Sequence, residues 1–136
     1  MKKLSENFTV EELTHSDTAE RLGIDNTPDA DSLENLQFLV DNVLQPLRDM
    51  YGRPIVVNSG YRCPKLNKAV GGSKTSQHMI GQAADITAGS KAENKQLFNL
   101  VLDNDLIFDQ LIDEKNYSWI HISYNQDRNR QQILHL

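Results

Sequence analysis

The chain has 136 residues, a formal net charge of -5 and one cysteine, Cys63. That length suits one domain with a single core and leaves no room for a catalytic domain plus a separate targeting domain. The acidic balance, without any cluster of Lys and Arg, excludes the electrostatic footprint of a nucleic-acid binder, and the lone thiol excludes an intramolecular disulfide.

At the N-terminus, MKKLSENFTVEEL turns polar and acidic after two lysines, so no signal peptide is expected. No segment is long and apolar enough to span a bilayer, which predicts a chain that is cytoplasmic as synthesised and does not insert into a membrane. Thr9 and Glu12 have capping-box spacing, and Phe8 and Leu13 can staple across it, which predicts a short helix. DNTPDADS, around Pro28, predicts a surface loop. Residues 1–31 are thus expected to form a short helix and loop packed on the rest of a single domain, 1–136.

Over residues 32–50 apolar side chains recur at Leu33, Leu36, Leu39, Val40, Val43, Leu44, Leu47 and Met50, the spacing of a helix with one buried face. Asp31 and Glu34 repeat the capping-box spacing at its start. Pro46 predicts a kink within it, and Gly52 with Pro54 its end. Residues 55–57 read as a strand that delivers Ser59, Gly60, Tyr61 and Arg62 to its end. Residues 64–70 read as one or two helical turns with Leu66, Ala69 and Val70 inward, broken by Gly71 and Gly72. A flexible polar loop, GGSKTSQH, is expected next.

Residues 83–87 predict a strand, and residues 91–102 a helix with Leu97, Leu100 and Val101 on its apolar face. Strand candidates follow at 108–113, 119–124 and 133–136. Helices first and strands later, without regular alternation, predicts an α+β fold: a small antiparallel sheet with flanking helices.

In WIHIS, residues 119–123, strand alternation puts Trp119, His121 and Ser123 on one face and Ile120 and Ile122 on the other. The isoleucines can then face the core while His121 faces a cleft. By the same alternation Ile86 anchors its strand while Asp85 projects into that cleft. His78 lies on the preceding loop, and Gly81, Ala83 and Ala84 leave room for this loop to fold against the sheet. Two imidazoles and a carboxylate are the ligand types that hold a catalytic zinc with one position open to water. Arg62 is a fixed positive charge that can receive a carboxylate or an oxyanion. Each segment taken alone also admits an ordinary core or surface residue. His15 and His135 have no such context and read as surface residues, and Trp119 reads as packing.

Taken together and in this order, SGYR, SQHMIGQAAD and WIHIS resemble the zinc D-Ala-D-Ala carboxypeptidases of peptidase family M15, particularly its small phage-type members. The resemblance implies a Hedgehog/D-Ala-D-Ala-peptidase-like fold, Zn2+ as cofactor on His78, Asp85 and His121, and substrate contacts from Arg62 and Ser76. It also implies a catalytic carboxylate shortly before the last histidine, where Asp113 and Glu114 are adjacent candidates on opposite faces of a strand. The phage-type pattern, DQLI then any residue then Glu, gives that role to Glu114 and leaves Asp113 facing solvent. Ser118 stands where other relatives have the glutamate. The implied function is hydrolysis of a peptidoglycan stem-peptide bond by a metal-activated water, as a D-Ala-D-Ala carboxypeptidase or an endolysin-type endopeptidase. Its expected partner is a stem peptide or muropeptide, met by a monomer in a prophage or bacterial-wall setting after release. The alternative is a zinc-fold binding module that recognises cell-wall peptide without turnover.

Overall fold

The computed structural model describes residues 2–136. Its first helix, α1 (Val10–Thr14), is capped as expected: the Thr9 side chain accepts from the Glu12 backbone N–H, and Phe8 and Leu13 are both buried. A second short helix, α2 (Asp17–Leu22), follows in a stretch where none was expected. Ser16 caps its start, Gly23 at φ 67 closes it, and Ala19 is its one buried residue, so it has no apolar face to leave a period in the sequence.

The long helix begins at Ala30, ahead of the expected start, because Asp29 rather than Asp31 caps it, accepting from the Ser32 N–H at 2.7 Å. It runs as α3 (Ala30–Leu39), widens into a π turn over Val40–Leu44, and continues as α4 (Gln45–Tyr51). The π turn falls immediately before Pro46, so the missing donor and the bulk of the ring are absorbed by the wider turn instead of breaking the helix. Leu36, Leu39, Val40, Val43, Leu44 and Leu47 are completely buried along it.

Five strands form one sheet in the order β1-β2-β4-β3-β5. They are β1 (Val56–Ser59), β2 (Ala83–Thr87), β3 (Gln110–Glu114), β4 (Trp119–Ser123) and β5 (Gln132–His135). The first four pair antiparallel, as expected of this α+β fold, and β5 lies parallel to β3 at the edge. Connectivity explains this. The β3–β4 hairpin returns the chain to the starting end of β3, where Gln131 and Gln132 N–H groups bond the Phe108 and Asp109 carbonyls, and β5 sets off from there alongside β3.

One face of the sheet is covered. Ala84, Ile86, Leu111, Ile120 and Ile122 join the α3–α4 leucines and Leu97, Phe98 and Val101 of α6 (Lys91–Asp103) in one core cluster. The other face, carrying Asp85, Ile112, Glu114, Trp119 and His121, borders a cleft. Helix α5 (Pro64–Ala69) buries Leu66 and Asn67. Ala69 and Val70 are exposed, against expectation, because the helix already ends at Ala69 and Val70, its cap, turns toward the cleft. The segment expected to be flexible is tied down: Asn67 Nδ2 donates to the Ser73 carbonyl, and Ser76 caps a 3-10 turn, Gln77–Ile80. Among the described residues no helix is long and apolar enough to cross a membrane.

Gly60, just past β1, is where α1 meets the sheet. The Tyr61 N–H donates to the Leu13 carbonyl at 2.7 Å, and a β-carbon on residue 60 would lie 2.2 Å from that same oxygen. Gly60→Ala is therefore expected to destabilise the fold by about 1–3 kcal/mol through overpacking. Thermal melting checks this against Gly23→Ala, where the space is open and only the left-handed backbone costs about 1 kcal/mol. Losses no larger at position 60 than at 23 would contradict the tight contact.

Candidate metal centre

Asp85 and His121 are direct cross-strand partners on β2 and β4, and His78 reaches them from the 3-10 turn before β2. Asp85 Oδ1 lies 3.0 Å from His121 Nδ1 and 3.4 Å from His78 Nε2, and the imidazole centroids are 5.2 Å apart. One donor atom from each residue falls within 4.8 Å of the others. Ligand atoms bound to a tetrahedral zinc at about 2.0–2.1 Å stand roughly 3.3 Å apart, so this spacing fits a single divalent ion.

The second nitrogen of His78, Nδ1, lies 2.7 Å from the Gly60 carbonyl oxygen in a buried setting. A carbonyl can only accept, so Nδ1 carries a proton, and Nε2, the nitrogen turned toward Asp85, is the one a metal would meet by taking the place of any proton there. Burial works to raise the pKa of the Asp85 carboxyl, but hydrogen bonds from His121 and His78 and their charge overcome it and hold the group well below the ordinary carboxylate range. An ionised carboxylate is the form that binds a metal.

Arg62 is placed by its own backbone, whose N–H donates to the His78 carbonyl at 2.9 Å. Its guanidinium lines the same cleft, of about 570 Å³. Burial lowers its pKa, against the opposing pull of Asp85 and Glu114, and the group remains a cation. Its Nε is buried without a hydrogen-bond partner among the described residues.

Glu114 lies two positions along β3 from Ile112, the cross-strand partner of His121, and so shares the open face. Trp119 Nε1 donates to Glu114 Oε2 at 2.9 Å. The indole thus lines the cleft and holds a carboxylate, instead of serving only as packing as expected, because it shares the His121 side of β4 and the helices cover only the other side. Asp113 takes the opposite face, as alternation requires, but it is buried against His135 and does not face solvent. The parallel pairing of β5 is the cause, since it sets His135 directly beside Asp113. His135 itself is exposed, as is His15 beside Asp17. Ser76 lines the cleft, with its hydroxyl engaged as the cap of the His78 turn, accepting from the His78 N–H at 3.1 Å. Ser118 is spent in the β3–β4 turn, donating to the Lys115 carbonyl, and does not line the cleft.

Arg130 also lines the cleft and was not singled out in the sequence. Its Nε and Nη2 donate to Asp109 at 2.8 and 2.9 Å, and Gln77 Nε2 joins the same carboxylate at 2.8 Å. Three residues from a turn, a strand end and a late loop leave no spacing to read.

Comparison with known proteins adds two findings. Residues 6–123 match the family described as Peptidase M15. A stretch of 49 residues, 35% of this chain, is 49% identical to the zinc D-Ala-D-Ala carboxypeptidase of Streptomyces albus G, of which it spans 19%. Purified protein is expected to hold close to one zinc per chain, and His78→Ala or His121→Ala to lose it. Metal analysis showing zinc retained by both variants would reject this ligand set.

Proposed function

The chain belongs to the peptidase M15 family, and from that premise we propose that it is a zinc-dependent peptidoglycan peptidase that hydrolyses a stem-peptide bond. The observation that carries this reading is one open sheet face on which three convergent metal-ligand atoms, an arginine with an unpartnered donor and an indole-held carboxylate line a single cleft. Two imidazole nitrogens and one carboxylate suit zinc in type and number and leave a position for water. When bound, zinc supplies a Lewis acid that brings the pKa of a coordinated water to about 7.

The protein's own groups do the rest. Gly60 fixes the His78 tautomer, and the Asp85 carboxyl stays ionised, so both are ready as ligands. The Trp119 N–H engages one oxygen of Glu114 and leaves the other to take a proton from the attacking water and pass it to the leaving amine. Arg62 offers its charge to the carbonyl oxygen as negative charge builds there, or to a terminal carboxylate of the substrate. The second use makes the enzyme a D-Ala-D-Ala carboxypeptidase, and the first also suits an endolysin-type endopeptidase. A zinc-fold module that binds cell-wall peptide without turnover would have no use for a carboxylate held beside the ligands, and Glu114 favours the enzyme.

Glu114→Gln is expected to lower hydrolysis of muropeptides at least ~100-fold, the scale of a lost general base, while the protein keeps its zinc. Asp113→Asn is expected to stay active but to melt lower, by about 1–3 kcal/mol, because it weakens the buried contact to His135. The reverse pattern would move the base to Asp113. Product masses separate the two activities: loss of one alanine marks a carboxypeptidase, and a cut within the stem an endopeptidase. No product from zinc-loaded protein would support the binding module.

A further inference from the structure

Along β3 the open face carries Gln110, Ile112 and Glu114, and Ile112 is level with His121 and, through it, with Asp85. Glu114 therefore marks one end of the cleft along β3 and Gln110 the other, about 13 Å apart at ~3.3 Å per strand residue. A second arginine lines the cleft at the Gln110 end. Arg130 lies beyond residues 6–123, the part matched to the family.

Arg130 is held firmly. Asp109, only 4% exposed, accepts from its backbone N–H, Nε and Nη2 at 2.9, 2.8 and 2.9 Å. The loop that carries it is closed by reciprocal hydrogen bonds between Asn125 and Asn129 and by Gln131, which both donates to and accepts from the Phe108 backbone. Two of the five guanidinium donors go to Asp109, which leaves three. The side chain is 48% exposed, so those donors are open to a ligand. A guanidinium fixed along one edge by a buried carboxylate offers its remaining N–H groups in the fork that suits a second carboxylate, and its prior immobilisation removes part of the entropy cost of binding.

We propose that Arg130, pinned by Asp109 at the Gln110 end of the cleft, is a specificity subsite for a second substrate carboxylate. That carboxylate lies roughly two residues, or about 7 Å, from the scissile bond on the side away from Glu114. The inference rests on the peptidase reading of the cleft and deepens it: the preferred substrate is an acidic peptide, read at two points.

The test uses two synthetic peptides that differ only in an internal glutamyl residue two positions from the scissile bond, which carries a free carboxyl in one and a carboxamide in the other. Calorimetry with zinc-loaded Glu114→Gln protein measures binding without turnover. The acid is expected to bind about 10- to 100-fold tighter than the amide, the scale of a charge-assisted contact. Adding Arg130→Gln should bring both peptides to the amide's affinity, while Arg62→Lys should preserve the ratio. Arg130→Lys keeps a charge against Asp109, guards against a folding defect, and should retain a reduced preference. Equal affinities in the parent protein would overturn the proposal. So would a ratio unchanged in Arg130→Gln alongside a lower melting temperature, which would make Arg130 a strut for Asp109. Failure of the wild-type chain to cut either peptide would count against the peptidase reading alone, since the binding ratio is measured separately.

Discussion

The placement of Asp85 opposite His121 across β2 and β4 is the constraint on which the rest of the cleft depends. Ala84, Ile86, Ile120 and Ile122 fill the other side of the same two strands and are completely buried. A slip of one residue would send the isoleucines to the cleft and the carboxylate and imidazole into the core. The hydrophobic core and the candidate metal centre are thus one register, seen from two faces. His78 is the third point, clamped by the segment that leaves β1: the Gly60 carbonyl takes its ring N–H and the Arg62 N–H takes its carbonyl. Arg62 and His78 cannot move independently, which couples the cation of the cleft to the ligand set.

Two neighbouring carboxylates meet opposite fates on β3. Glu114 faces the cleft, where an indole N–H orients it, and Asp113 faces the side closed by β5, where His135 meets it. Strand alternation separates them, and the parallel edge strand then covers one and leaves the other accessible. At the far end of β3, Asp109 is buried and organises Arg130 and Gln77 around itself. One short strand and the residue before it therefore present acidic groups to three different environments.

What could be read from the sequence was whatever a local period encodes. WIHIS and the strand holding Asp85 alternate β-branched or small residues with polar ones, so their faces, and the convergence of His78, Asp85 and His121, followed from the residues together with the family resemblance. Alternation assigns a face but does not say what covers it. Asp113 was expected in solvent and Trp119 as simple packing for that reason, since β5 and the helical layer decide those environments from far along the chain. The start of α3 was ambiguous locally, because Asp29 with Ser32 and Asp31 with Glu34 both offer capping geometry, and the structure uses the first. The π turn before Pro46 lies inside an unbroken apolar period that does not show the widening, and the six-residue α2 and the Asp109–Arg130 pair leave no apolar period at all.

Two imidazoles and one carboxylate, brought together by strand register and a clamped turn, form the centre that would hold one zinc ion. Anomalous diffraction at the zinc edge, from crystals of the loaded protein, tests it most directly. A single strong peak is expected, bounded by His78 Nε2, the Asp85 carboxylate and His121 Nδ1. A peak at the other histidine–aspartate pair, His135 and Asp113, with none at the trio, would contradict it.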